Sequence, residues 1–322
     1  MATNSYFNSR NFIDVLLDGS NAPPQRKIGG AFLYEDTTTY LFSRTNYGKS
    51  LLVFQLAYAA ATGTSVAQCG ALHNDCPPMK VVVLDLELSD SDLFKRHGIV
   101  LRDNDPLVRE NLHYLHEKIE NPMMIGHQLL EKIEPAIVEH NARLVIIDNI
   151  SKLLPDSLKH DQVALVVSFL DRIRQRTGAS VLAVGHTTKG NPRVAVQPND
   201  YFGSSMLWNF FKELFFIDTT TDGKFFLCHA KTKSKERYNE TVPVFTLGEH
   251  PVVGVGFNYE ALMPLADIQL PFALQPNITR RKINLKHFRN EISILDRSGV
   301  SRSTIAELLG VSRSSIYHLL DN

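Results

Sequence analysis

Three continuous apolar runs limit what this chain can fold into. KVVVLDL at 80–86, RLVIID at 143–148 and ASVLAVG at 179–185 lack the alternation of a half-exposed strand, so each is read as a strand buried on both faces. Helical patterns separate them, at 49–62, 124–140 and 161–177. Buried strands joined by helices imply an α/β fold, a mainly parallel sheet flanked by helices. TTYLFS at 38–43 adds a strand. ELFFID and KFFLCHAK flank TTTDG, whose Asp222-Gly223 pair predicts a hairpin, so an antiparallel pair extends the sheet.

Four segments follow from these patterns. Residues 1–30 are polar, end in NAPPQRKIGG and form a lead-in; 31–260 form the α/β domain. Residues 261–283, with Pro264, Pro271 and Pro276, read as a linker, and 284–322 return to helical periodicity. No apolar run reaches the roughly 18 residues of a membrane span, and the N-terminus lacks the pattern of a secretory signal. Three cysteines are too few for a disulfide framework. A cytoplasmic protein without a membrane partner is the expectation. The 34 basic and 34 acidic residues cancel, so any nucleic-acid surface must be local.

SRTNYGKS, Ser43–Ser50, lies between a strand and a helix, where the phosphate-binding pattern G-x-x-x-x-G-K-[ST] ends in the same three residues. Backbone N–H groups of Ser43, Arg44, Thr45, Asn46, Tyr47 and Gly48 would face the phosphates of ATP. Lys49 would reach the β- and γ-phosphates, and Ser50 would give its hydroxyl to Mg²⁺. Ser43 replaces the first glycine, which its small side chain permits if its φ is negative. Asp148, closing RLVIID, suits the metal's water shell. Asn149 follows it, so the catalytic carboxylate comes from another strand. Glu87, 38 residues after Lys49, is the candidate base, with Asp85 as the competitor. His186 closes the third strand as a polar sensor of the γ-phosphate.

In order and spacing these elements resemble the RecA-like P-loop ATPases over about residues 31–240. LDLELSDSDLFKR and GHTTKG are similar to elements of the RepA/DnaB-type hexameric helicases. The resemblance implies a ring or filament, most simply a hexamer. In it Lys231 and Lys233 of HAKTKSK would reach the γ-phosphate held by a neighbouring subunit. It also implies that the loop after 179–185 faces DNA, with Lys189 and Arg193 as contacts.

RSTIAELLGVSRSSIYHLL resembles the helix-turn-helix of resolvases and bacterial regulators. Ile305, Ala306, Leu309, Val311, Ile316 and Leu319 fall at core positions, and Gly310 makes the turn. A helix at 284–297 would complete a small all-α module, and one at 312–320 would enter the major groove. Arg302, Ser312, Arg313, Ser314, Tyr317 and His318 are the candidate DNA contacts. From Asn277 onward eight basic residues face four acidic ones. Cys69, His73 and Cys76 lack a fourth ligand and read as a surface loop rather than a zinc site.

The expectation is therefore a DNA-binding, oligomeric, Mg²⁺-dependent ATP hydrolase acting in replication, mobilisation or recombination of DNA. The alternative is a nucleotide-switched DNA-binding regulator of transcription or replication with little turnover.

Overall fold

The computed structural model describes residues 10–65, 70–116, 127–153, 160–187, 196–201, 205–234, 236–268, 289–297, 301–308 and 313–321. The chain divides into two compact units, Met1–Leu274 and Gln275–Asn322.

The first unit opens with helix α1 (Phe12–Asn21), none of whose residues is buried. The short strands β1 (Lys27–Gly29) and β2 (Leu33–Tyr34) pair with each other. The central strand β3 (Thr38–Ser43) then leads into α2 (Lys49–Thr62), the Ala- and Leu-rich helix read from the sequence. There follow β4 (Val81–Asp85), the short helices α3 (Asp90–His97), α4 (Val100–Asp103) and α5 (Pro106–Asn111), and β5 (Leu112–His116). Next come α6 (His127–Glu139), β6 (Leu144–Asp148), α7 (His160–Thr177) and β7 (Ser180–His186). The unit closes with α8 (Ser205–Phe210), β8 (Glu213–Thr219), β9 (Phe225–Lys231), β10 (Thr241–His250) and β11 (Gly254–Pro264).

Nine strands form one sheet in the order β11-β10-β9-β8-β3-β7-β6-β4-β5. The six from β8 to β5 are parallel and the last three are antiparallel. The mainly parallel sheet with a hairpin extension is thus the fold found. The β8–β9 turn contains Gly223 at φ +80, as the Asp-Gly pair requires. β4, β6 and β7 are buried along nearly their whole length because apolar layers cover both faces. A crevice at the carboxyl ends of such strands is the usual ligand position. Here Ser43, Asp148 and His186 end three neighbouring strands, and Glu87 lies just beyond a fourth.

Two boundaries differ from the sequence reading. Residues 261–264, expected to begin a linker, complete β11, because their backbone pairs with Thr241–Val244. Residues 27–29, placed in the lead-in, are a strand whose Ile28 is fully buried.

The β10–β11 hairpin was not read from the sequence. It ends at the sheet edge, yet Gln55 of α2 closes that edge. The Gln55 amide donates to Phe257 O at 3.0 Å and accepts from Phe257 N at 2.7 Å. His97 of α3 stacks on Phe54 of α2 at 3.7 Å and pairs with Val253 O at 2.8 Å. Hairpin, α2 and α3 are one packed body.

The second unit contains α9 (Arg289–Arg297), α10 (Arg302–Leu308) and α11 (Arg313–Asp321). Ile292, Ile305, Ala306 and Ile316 form its core. Leu319 packs against them; Leu309, Gly310 and Val311 lie outside the described residues.

Gln55→Leu leaves the buried Phe257 N–H and C=O without this partner and should cost about 2 kcal/mol. A urea midpoint equal to that of the wild type would show that the amide does not hold the hairpin.

Candidate active site

Ser43 is the last residue of β3, fully buried and in register with His186. Its φ is not positive, so the missing glycine costs no backbone strain there. Its hydroxyl donates to Arg44 O at 3.0 Å. The left-handed positions of the loop are instead Asn46 at φ 65 and Gly48 at φ 76. Asn tolerates that region. Gly48 is required twice over, because a Cβ there would lie 2.6 Å from the Phe257 ring of β11.

Lys49 is buried and folds back on its own loop. Its ammonium donates to Arg44 O at 2.7 Å and to Ser43 O and Oγ at 3.3 Å, and lies 3.3 Å from His186 Nδ1. Burial lowers its pKa to about 8, against the raising effect of Asp148 and Glu87. Asp148 is pushed the other way, to about 6, chiefly by burial, although the Ser50 hydroxyl donates to it. A desolvated carboxylate beside a serine hydroxyl is a donor set that suits a hard cation. Ser50 and Asp148 would therefore hold Mg²⁺.

Glu87 follows β4 at the cleft mouth. Asn149 Nδ2 donates to its Oε1 at 3.3 Å, and His186 Nε2 lies 3.9 Å from the same oxygen. His186, ahead of other causes, holds the Glu87 carboxyl below the usual glutamate range. His186 thus stands between Lys49 and Glu87, touching the first with one ring nitrogen and facing the second with the other. Asp85, the competing base, is buried, and its Oδ1 accepts from Glu87 N and Leu88 N, both at 2.9 Å. Its role is to shape the turn that presents Glu87.

These groups surround a cleft of about 450 Å³. Thr45, Asn46, Tyr47 and Gly48 line it with Lys49 and Ser50, and Glu87 and His186 face them. Arg96 of α3 and Leu247 and Val255 of the β10–β11 hairpin complete the wall. The sequence reading missed all three. Arg96 sits in the helix begun by LSDSDLFKR, the one signal that could have found it. Nothing local marked Leu247 or Val255.

Other candidate residues lie elsewhere. Lys231 and Lys233 are at the opposite end of the sheet: Lys231 pairs with Leu214, which pairs with Tyr40 near the start of β3. The Lys231 ammonium donates to Trp208 O and, at 2.7 Å, to Phe211 O. It therefore caps α8 and is not a free charge within its own subunit. Lys233 is exposed. Lys189 and Arg193 lie outside the described residues, as do Ser312 and Cys69. Arg313, Ser314, Tyr317 and His318 are exposed on α11. Arg302, expected to contact DNA, is half-buried and paired within its own module. It pairs with Asp296 at 3.1 Å and Asp321 at 2.9 Å and stacks over Tyr317 at 4.6 Å. Its charge ties the three helices together. Cys76 is buried and His73 pairs with Asp75; the described residues contain no metal-binding cluster of His, Cys, Asp and Glu.

A family model described as AAA domain matches residues 8–192. The chain belongs to this AAA domain family. The match spans the loop, Glu87, Asp148 and His186, so the cleft is that of a P-loop ATPase domain. No curated protein matches the chain. Among solved structures, a KaiC-like protein from the hyperthermophilic archaeon Pyrococcus horikoshii is 14% identical, with a TM-score of 0.49. The alignment covers 70% of this chain and 90% of that one. No helix among the described residues is long and apolar enough to cross a membrane.

The low pKa of Lys49 has a measurable consequence for this AAA domain. Burial favours the neutral amine as pH rises, whereas phosphates beside it favour the charged form. Nucleotide binding at alkaline pH should then be accompanied by net proton uptake. Titration calorimetry in two buffers of different ionisation enthalpy measures this. Equal heats would show that Lys49 is already charged or stays neutral.

Proposed function

We propose that the protein is a DNA-binding, oligomeric ATP hydrolase that acts in the replication, mobilisation or recombination of DNA. The observation that carries the hydrolase reading is Glu87. Its carboxylate is held ionised by His186 and Asn149 at the mouth of the P-loop cleft. An ionised carboxylate there orients and deprotonates an attacking water. Lys49 binds the phosphates once they displace the loop carbonyls from its ammonium. His186, in contact with both, links phosphate occupancy to the position of Glu87. Bound Mg²⁺ supplies neutralisation of phosphate charge, from Ser50 and Asp148.

Oligomerisation, as a ring or filament and most simply a hexamer, is supported by where Lys233 lies. It is exposed at the end of the sheet away from the chain's own cleft, so a nucleotide it contacts belongs to a neighbouring subunit. DNA binding is supported by α11, where Arg313, Ser314, Tyr317 and His318 form an exposed polar and basic face. Such a helix-turn-helix favours a particular duplex site. Lys189 and Arg193 would add contacts from the segment after β7.

Phosphate release at saturating ATP and Mg²⁺ tests the proposal. Glu87→Gln should lower kcat by about 10²- to 10³-fold while nucleotide binding persists. Lys49→Ala should lose binding. Stimulation by single strands points to a helicase, and stimulation by duplex alone to a loader. Binding without turnover by the wild type would overturn the hydrolase and leave the nucleotide-switched regulator.

A further inference from the structure

We propose that Asp218 is a positioning residue of the nucleotide site. Through Arg44 it braces the phosphate loop, and the brace sets how tightly the cleft holds nucleotide phosphates. This role rests on the reading of the cleft as a nucleotide site and does not require turnover.

Asp218 closes the run ELFFID in β8, and no step of the hydrolytic chemistry uses it. Phe216 of β8 is in register with Phe42 of the parallel β3, so Asp218 is level with Arg44, the first residue after β3. Side chains alternate along a strand, so both residues project from the face that carries Phe42 and Phe216. That face belongs to one core layer, and α2 packs in the other. Arg44 accordingly does not line the cleft, although Thr45, Asn46, Tyr47 and Gly48 do.

The Asp218 carboxylate is fully buried and fixed at both oxygens. Oδ2 accepts from Val196 N at 2.6 Å, and Oδ1 accepts from Thr219 N at 2.9 Å. Burial raises its pKa, against those two bonds and the charge of Arg44. Arg44 Nη1 lies 3.8 Å from Oδ1. The same nitrogen donates to the Tyr47 hydroxyl at 3.4 Å, and the guanidinium sits over the Tyr47 ring at 5.8 Å. One guanidinium thus joins β8 to both ends of the turn 44–47, across the left-handed Asn46. The Arg44 backbone has a second task, because its carbonyl accepts from the Lys49 ammonium at 2.7 Å.

When phosphates take the ammonium, Arg44 O gives up that bond. The ion pair with Asp218 lies outside the cleft and persists, so residue 44 stays at the end of β3. The N–H groups that follow remain aimed at the phosphates without a further cost in loop ordering. A loop without the brace must be ordered by the ligand, and affinity falls by that cost.

The test is a double-mutant cycle on the full-length chain, read as the dissociation constant of ATP with Mg²⁺. Arg44→Gln and Asp218→Asn should each weaken binding about tenfold, and the double variant should be no weaker than about tenfold, because both remove one link. Turnover at saturating ATP should stay within about threefold of the wild type. Effects that multiply to about 100-fold in the double variant would overturn the proposal. So would a lower urea midpoint with unchanged affinity of the folded protein, which would make the pair merely structural. Tighter binding by Asp218→Asn would also overturn it, since a freed Arg44 would then be contacting phosphates itself. If Asp218→Asn does not fold, Arg44→Gln decides alone, and unchanged affinity sinks the brace. A wild type that binds ATP without turnover removes the hydrolase reading and leaves the cycle intact. A wild type that does not bind ATP removes the nucleotide site and the role of Asp218 with it.

Discussion

The site depends on one buried ammonium. Lys49 begins a helix whose every residue but one is buried, so its charge is carried into the interior with the helix. Burying a charge is costly unless it is paired and hydrogen-bonded. Three loop oxygens, a histidine nitrogen and the nearby carboxylates Asp148 and Glu87 offset part of that cost. The positions of Ser43, His186, Asp148 and Glu87 follow from this need, because each ends or follows a strand that converges on Lys49. The lowered pKa of the lysine and the raised pKa of Asp148 have the same origin: both groups lose water before any ligand replaces it.

A second constraint is the β10–β11 hairpin. It belongs to the edge of the sheet by pairing but to the nucleotide site by packing. Phe257 stands behind Gly48, Gln55 grips the Phe257 backbone, and Val255 and Leu247 face the cleft. The P-loop and the hairpin are therefore packed as one unit. α3 shares this coupling, since His97 packs on Phe54 and Val253 while its neighbour Arg96 faces the cleft.

Much of this was legible in the sequence where the signal is local. Unbroken apolar runs gave the parallel strands, and Asp222-Gly223 gave the β8–β9 turn. Gly48-Lys49-Ser50 between strand and helix gave the phosphate loop. The remainder depends on contacts between distant residues. Gln55 and Phe257 are 202 positions apart, and no periodicity reports such a pair. Asp85 and Glu87 carry equal chemical promise in one dimension. Only the backbone bonds to Asp85 separate the residue that shapes the turn from the one it presents. Lys231 and Arg302 show a related limit of one-dimensional reading. A basic side chain near a functional motif looks available until the carbonyls of Trp208 and Phe211, or the carboxylates of Asp296 and Asp321, are found around it.

The most direct test of the central claim is equilibrium binding of ATP, ADP and AMP with Mg²⁺ to the wild type and to Lys49→Met. If the buried ammonium is the phosphate receptor, affinity falls from ATP to ADP to AMP, and Lys49→Met removes the preference together with most of the affinity. Equal affinity for the three nucleotides, or a preference that survives in Lys49→Met, would contradict the account.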